Sequence, residues 1–190
     1  MTVLPEWLQL ASTGLSASDY EALPEDLCRL IEVVDGGVVV LPAPHRSHQR
    51  LVRRLADALE HHCGDDAAVT TSVDLRLREQ PLLNRRPDIV VFDAGLPDDA
   101  ILRPGDCRLV VEVMSGNSVT ADQLDKPAEY AWAGIEHFWR VEDTGGAADR
   151  RVFRYVLNPA TRTYASAGVD DTVMFTSSPF PVDIDLRGLS

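Results

Sequence analysis

The run "RLVVEVMS", residues 108–115, constrains the fold more than any other segment of this sequence. Apolar residues surround Glu112 on both sides, and a continuous, β-branched run of this kind is typical of a strand that is covered on both faces of a sheet. An isolated carboxylate in such surroundings costs several kcal/mol unless it is protonated, paired or bound to a metal. The run therefore predicts a central strand in which Glu112 needs a compensating partner.

The rest of the chain predicts a mixed α+β fold, in which helices flank a mixed sheet. The residues Asp35-Gly36-Gly37 join two β-rich runs and predict a hairpin. Helical spacing of leucines predicts a long helix that Ser47 would cap and Gly64 would end. A shorter helix is predicted in "DKPAEYAWAG", with Pro127 in its first turn. The other predicted elements are a short helix in "SASDYEAL" and strands in "AVTTSVDLRLRE", "RRPDIVVFD", "HFWRVE", "RVFRYVLN", "RTYASAG" and "TVMFTSS".

The composition is typical of one soluble globular domain over residues 1–190, with 45% hydrophobic and 25% charged residues. No apolar run approaches the length needed to cross a bilayer. The segment "MTVLPEWLQL" lacks the basic stretch and apolar core of a secretory signal, so we expect a cytoplasmic protein without membrane attachment. Three widely spaced cysteines without a CxxC pair argue against a disulfide framework and against a thiolate zinc site.

The net charge of −12 opposes non-specific attraction to nucleic acid or to an anionic membrane. Positive charge is nevertheless concentrated locally, because arginines occur at positions 46, 50, 53 and 54 and again at 76, 78, 85 and 86. Two interpretations of these arginines stay open: they form a basic groove, or they lie on solvated faces and strand rims.

A second acid, Asp88, begins the strand segment "DIVVF" directly after Pro87. Taken alone, an aspartate at this position also fits a simple turn cap. If its strand pairs with that of Glu112, both carboxylates lie at one end of the sheet, where a divalent cation, protonation or a lysine relieves their repulsion. Oxygen ligands of this kind suit Mg²⁺, for which Mn²⁺ can substitute.

Lys126 and Glu32 complete a candidate catalytic set. Lys126 begins the helix after the Glu112 strand and is close enough along the chain to fold back over the carboxylates. Glu32 is another acid within an apolar strand, although it also fits an exposed strand edge. A set of Asp, Glu and Lys side chains is what metal-assisted phosphodiester hydrolysis requires: the metal polarises the phosphate and lowers the pKa of its water, and the lysine orients that water.

Purely structural roles are alternatives for the two central residues of this set. Glu112 also fits a buried ion pair with an arginine such as Arg86. Lys126 also fits a surface pair with Asp122, four residues earlier on the same helix.

Contacts with the substrate are predicted at a further group of residues. The helix that carries Arg50, Arg53 and Arg54 is a candidate for phosphate contact, and His48 lies near its start. Tyr130, four residues after Lys126, is a candidate to support the lysine or to touch a phosphate, although an aromatic residue at this place also fits the core. For His48 the alternative is a structural hydrogen bond at the start of the helix.

Four segments together resemble the Uma-type family of restriction-endonuclease-like proteins, within the PD-(D/E)xK nuclease superfamily: "IEVVDGGVVVLPAPHRSHQRLVRRL", "RRPDIVVFD", "LVVEVMSGNS" and "DQLDKPAEYAWAGIEHFWRVE". The resemblance covers nearly the whole chain and implies a restriction-endonuclease-like core. It implies an active site of Glu32, Asp88, Glu112 and Lys126, in which Asp88 and Glu112 bind the metal and Glu32 joins through a second metal or a water. Met114 occupies the place of the superfamily's usual lysine, two residues after the glutamate, and the resemblance implies that Lys126 replaces it from the helix.

The predicted function is hydrolysis of phosphodiester bonds with Mg²⁺ or Mn²⁺. DNA is the expected partner, and a homodimer would let two sites address two strands. Two other functions stay open: a catalytically silent nuclease-fold module that binds nucleic acid or protein, and a metal-dependent hydrolase that acts on RNA or nucleotides. A kinase-like nucleotide site is excluded, because "DGGVVV" is a hairpin turn and not a GxxxxGK loop.

Overall fold

Three β-sheets and four α-helices make up the computed structural model over the residues it describes, 14–115, 121–143 and 150–189, with the backbone alone for 115 and 121–124. The helices are α1 (Ala17–Glu21), α2 (Glu25–Cys28), α3 (Arg46–His62) and α4 (Ala121–Ala133). The strands are β1 (Ile31–Val34), β2 (Gly37–Val40), β3 (Ala67–Thr71), β4 (Leu75–Arg78), β5 (Leu83–Arg85), β6 (Ile89–Asp93), β7 (Cys107–Ser115), β8 (His137–Asp143), β9 (Arg150–Asn158), β10 (Thr163–Asp170), β11 (Val173–Thr176) and β12 (Val182–Asp185). The α+β prediction is confirmed.

The largest sheet has the strand order β10-β9-β8-β7-β6-β3. Its strand β7 lies in the interior, antiparallel to β6 and parallel to β8. A parallel neighbour cannot be reached through a tight turn, and α4 supplies the crossover between β7 and β8. The predicted central strand is therefore confirmed.

The two faces of this sheet belong to different layers. Leu109, Val111 and Val113 of β7 pack in one core with Leu51 and Leu55 of α3. The side chains between them point the other way, so Val110 packs in a second core with Tyr130 of α4. Because side chains alternate along a strand, Glu112 faces the α4 layer together with Val110. The sheet therefore carries Glu112 towards the helix that follows its own strand.

A smaller sheet, with the order β2-β1-β5-β4, brings Glu32 of β1 and Arg85 of β5 near this layer. Strands β1 and β2 form the predicted hairpin. Its turn residues Asp35 and Gly36 have φ values of 51° and 81°. Two consecutive residues with positive φ are typical of the tight hairpin turn whose twist matches that of the paired strands.

Three local predictions are corrected by the structure. The long helix begins at Arg46 with His45 as its N-cap, and not at Ser47, because the His45 carbonyl already accepts the first helical hydrogen bond, from the Gln49 amide over 3.1 Å. The segment "AVTTSVDLRLRE" forms two strands in different sheets, β3 and β4, since Ser72 has a φ of 51° at the break. Pro127 lies in the interior of α4 and not in its first turn, because the helix already begins at Ala121.

Within the described ranges, none of the helices is long and apolar enough to cross a membrane. The predicted absence of a secretory signal falls on residues 1–10, which lie outside these ranges.

Candidate active site

Three neighbouring strands of the large sheet place Asp88, Glu112 and Arg140 in a row. Ile89 pairs with Val111, and the same antiparallel register, continued by one residue, sets Asp88 beside Glu112. On the other side, Glu112 is the register partner of Arg140 in the parallel strand β8. The two carboxylates that the sequence singled out therefore lie side by side at one end of the sheet.

Helix α4 supplies the partners of Glu112. The Tyr130 hydroxyl donates a 2.6 Å hydrogen bond to Oε1 of Glu112, and Nζ of Lys126 lies 3.3 Å from the same oxygen. Lys126 and Tyr130 are four residues apart, so they occupy the same face of the helix. The Glu112 side chain is only 16% exposed. A cation and a hydroxyl, and not Arg86, therefore compensate this carboxylate.

The protonation of Glu112 reflects this environment. Burial raises the pKa of Glu112 to about 7, although the positive charge of Lys126 and the Tyr130 hydrogen bond favour the ionised form. The negative charges of Asp88 and Glu32 raise it further. More positive charge at this place would stabilise the carboxylate.

Lys126 lies between the two sheets. Its ammonium group is 3.0 Å from Oε1 of Glu32 and 3.3 Å from Oε1 of Glu112, and its side chain is only 10% exposed. Lys126 is also the only lysine in the sequence, in which every other side-chain cation except histidine is arginine. The side chain of Asp122, the alternative partner considered above, lies outside the described residues.

Glu32 is completely buried, and both of its oxygens are engaged. Oε2 accepts a 2.8 Å hydrogen bond from Arg85, while Oε1 accepts one of 2.9 Å from the Arg86 amide and also faces Lys126. Arg85 in turn makes two bonds to Glu129, of 2.7 and 2.8 Å. This geometry suits a residue that holds Lys126 in place better than it suits an open metal ligand.

Asp88 is held by two donors. Its Oδ2 accepts a 2.7 Å hydrogen bond from the Val113 amide, and its Oδ1 lies 3.0 Å from Nε2 of His48. The hydrogen bond to Asp88 raises the pKa of His48, against the effect of burial, and the charge of Glu112 adds to the rise. Asp88 is thus tied to the neighbouring strand and to α3, and it does not act as a simple turn cap.

A small cleft opens beside Glu112 and Lys126. It is lined by Glu112, Val113, Met114, Lys126, Pro127, Phe138 and Arg140. Its walls combine charged groups with apolar surface, as is common in ligand sites.

The family model Uma2, described as "Putative restriction endonuclease", matches residues 17–187. The chain belongs to the Uma2 family. A solved structure of similar fold is that of a putative nuclease belonging to DUF820 from Anabaena variabilis ATCC 29413, with 14% identity and a TM-score of 0.67. The match covers 92% of this chain and 97% of that one, so the fold is restriction-endonuclease-like. The comparison with curated proteins gave no match.

The predicted substrate contacts of this Uma2 protein separate into two groups. His48 and Tyr130 reach the carboxylates, as described above. Arg53 instead lies 3.6 Å from Asp57 of its own helix, and Arg54 donates to the carbonyl of Gly188 over 3.4 Å. Arg50 is exposed on α3, the helix that packs on the face opposite to α4. Among the described contacts, none brings these three arginines to the cleft.

Sequence reasoning missed three charged residues of the Uma2 site, Arg85, Glu129 and Arg140. The pair Arg85-Arg86 was visible, but Arg86 was considered as the partner of Glu112, whereas it bonds to Asp74. Glu129 lies three residues after Lys126, and only that helical spacing could have pointed to it. No sequence pattern predicted that Arg140 belongs to the site, because its place beside Glu112 depends on which strands pair.

The charges of the site leave room for a divalent cation. When Glu112 is ionised, the carboxylates of Glu32, Asp88, Glu112 and Glu129 face the cations Arg85 and Lys126, so these six groups carry two net negative charges. Arg140 beside them is itself paired with Glu142. Over the described residues, no group of three His, Cys, Asp or Glu side chains could by itself hold a metal ion. Mg²⁺, however, commonly binds through one or two carboxylates together with waters and substrate phosphate. The neighbouring pair Asp88 and Glu112 fits that kind of site.

Proposed function

We propose that this Uma2 protein hydrolyses phosphodiester bonds in DNA with Mg²⁺ or Mn²⁺. One observation carries the proposal: the only lysine of an arginine-rich chain lies between Glu32 and Glu112. The strand register sets the second of these carboxylates beside Asp88. A compact ammonium fits between two carboxylates and acts as a point charge, whereas a guanidinium is broad and planar. Family membership and the nuclease-like fold support the same reaction.

Asp88 and Glu112 would hold the metal, since they are adjacent and partly exposed. A bound Mg²⁺ would polarise the phosphate and lower the pKa of a water. Lys126 would orient the attacking water and stabilise the negative charge that develops on the phosphate. Glu32 would keep the ammonium in position, and Tyr130 would keep the Glu112 carboxylate oriented. Both supporting roles follow from the hydrogen bonds and short distances described above.

DNA as the substrate and a homodimer as the active form are parts of the same proposal. The strong negative charge of the chain restricts attraction to a local surface, so binding should depend on the cleft and not on the protein as a whole. Two sites in a homodimer would act on the two strands of a duplex. Sedimentation equilibrium measures the association state directly.

The test is a cleavage assay on plasmid DNA, single-stranded DNA and single-stranded RNA, in chelator, Mg²⁺ or Mn²⁺. We expect metal-dependent cleavage of DNA that is lost in Lys126→Met and Glu112→Ala. Glu25→Ala is the matched control, because Glu25 is an exposed acid whose ion pair is with Arg29, away from the site. Lys126→Arg should also be inactive, although it keeps the charge. Wild-type protein that binds metal but cleaves none of the substrates would contradict the proposal, and cleavage of RNA alone would reassign the substrate.

A further inference from the structure

Arg140 is a cation at the cleft that lies outside the proposed set of metal ligands and the proposed water-orienting lysine. It lies on β8 as the register partner of Glu112, and its side chain lines the cleft together with Lys126. The row Asp88, Glu112 and Arg140 therefore ends in a positive charge, one strand away from the proposed metal ligands.

Contacts hold the guanidinium of Arg140 in place, although one of its N–H donors has no hydrogen-bond partner among the described residues. It lies 4.6 Å over the centre of the Phe153 ring, and Nη2 is 2.9 Å from Oε1 of Glu142. Its Nε is buried and has no hydrogen-bond partner among the described residues. A buried N–H without a partner is unfavourable, so the guanidinium is incompletely satisfied by the protein. The part of the side chain that a ligand oxygen can reach is its exposed part, which lines the cleft.

A purely structural role explains little of this arrangement. Arg140 does not serve as the counter-ion of Glu112, whose Oε1 contacts Lys126 and Tyr130 instead. Its ion pair with Glu142 is partly exposed, and such pairs contribute little to stability. The Arg140 side chain is 29% exposed, so the guanidinium is open to the cleft.

We propose that Arg140 binds a non-bridging oxygen of the substrate's phosphodiester, beside the Asp88 and Glu112 carboxylates. This inference rests on the proposed function, and it names the substrate contact of that site. A guanidinium stacked on an aromatic ring is already oriented, and its planar fork matches the geometry of phosphate oxygens. Arg140 is thus a substrate-binding residue, and it replaces the α3 arginines as the phosphate contact.

The test compares Arg140→Ala and Arg140→Lys with Arg108→Ala. Arg108 is a matched control, because it lies at the opposite end of β7, is 32% exposed and bonds to Asp66 and Asp93. Binding of a short fluorescent single-stranded DNA is measured by anisotropy in Ca²⁺ at several salt concentrations, and KM and kcat are measured with Mg²⁺. Circular dichroism shows whether each variant is folded. If Arg140→Ala does not fold, Arg140→Lys is compared with Arg108→Ala in its place.

We expect Arg140→Ala to raise Kd and KM about tenfold while kcat changes much less. Loss of one phosphate contact should also reduce the slope of log Kd against log salt by about 0.7, an effect that a structural role would not produce. Arg140→Lys should keep that slope, and Arg108→Ala should behave like the wild type.

The outcomes separate this inference from the proposed function. If the wild type cleaves DNA and Arg140→Ala matches Arg108→Ala in Kd, KM and salt slope, the role of Arg140 is wrong and the nuclease stands. If the wild type binds DNA through Arg140 but cleaves nothing, the contact is supported and the catalytic proposal fails. If the wild type neither binds nor cleaves, both are overturned.

Discussion

The hydroxyl of Tyr130 donates a 2.6 Å hydrogen bond to the Glu112 carboxylate, one helical turn beyond Lys126. The ring of Tyr130 is fully buried and packs against Phe138, with 5.8 Å between ring centres. One residue therefore belongs both to the core and to the candidate site. The carboxylate within the apolar strand is tolerated because a helix above it provides a donor and a cation.

Replacement of this donor should affect both stability and activity. We expect Tyr130→Phe to lower the free energy of unfolding by about 1–2 kcal/mol, since it removes a hydrogen bond to a charged group. Cleavage should fall by at least about tenfold, because partners that orient a metal-binding carboxylate contribute on that scale. Urea unfolding and kcat/KM measure the two effects. Tyr155→Phe is the control, because its hydroxyl has no hydrogen bond among the described residues; equal behaviour of the two variants would contradict the prediction.

The metal-free protein should lose stability between about pH 4.5 and pH 7. The pKa of Glu112 is raised from 4.5 to about 7, so in this window the folded state holds a proton that the unfolded state has released. The contribution of Glu112 to the free energy of unfolding is fully present below its pKa in the unfolded state. It is lost as the pH rises through its pKa in the folded state, with a slope of up to about 1.4 kcal/mol per pH unit. Urea unfolding in chelator over this range measures it.

Glu112→Gln isolates this effect. The variant should remove the slope over that window. Most of the slope from His48 should stay in both proteins, because its pKa is raised chiefly by the hydrogen bond to Asp88. Addition of Mg²⁺ should restore wild-type stability at the upper end of the window and leave Glu112→Gln unchanged. Identical pH profiles of the two proteins in chelator would show that Glu112 is ionised throughout.

The buried network around Arg85 should be a large contributor to stability. Arg85 is only 1% exposed and bonds to two carboxylates, Glu32 and Glu129. We expect Arg85→Met to cost about 3–5 kcal/mol in the free energy of unfolding, because it breaks a buried ion pair with Glu32, which among the described residues keeps only Lys126 as a cation, and also breaks the pair with Glu129. Arg29→Ala, which breaks an exposed pair with Glu25, should cost far less. Chemical denaturation measures the free energy of unfolding of both variants. Similar losses in Arg85→Met and Arg29→Ala would contradict a large contribution of the buried network to stability.

The three thiols should react slowly in the folded protein. Burial raises the pKa of Cys28 and Cys63, and it raises that of Cys107 to about 12. The thiolate is the reactive form, so little of it is present at pH 8. We expect a thiol reagent to modify the folded chain at least about tenfold more slowly than the chain in urea. A rapid phase in the folded state would identify a thiolate that burial does not suppress.

Local patterns were sufficient to predict much of the fold. The apolar run around Glu112 predicted an interior strand, and Asp35-Gly36 predicted the hairpin turn. Both depend on short-range physics, because side-chain alternation and the need for positive φ are properties of adjacent residues. The start of α3 at Arg46 and the break at Ser72 were missed, since they depend on where the chain leaves one sheet for another.

The candidate site shows the same division. Burial cost singled out Glu112, because an acid in an apolar strand must find a partner wherever it lies. Residue type and place along the chain added Asp88 and Lys126. Which partner it finds is a matter of packing between distant segments. Glu32 and Arg85 are 53 positions apart, and the register of two parallel strands sets Arg140 beside Glu112. The sequence by itself determined that Glu112 needed compensation, and only the tertiary structure decided that Lys126 and Tyr130 supply it, because strand order and helix placement are set by the packing of the whole core.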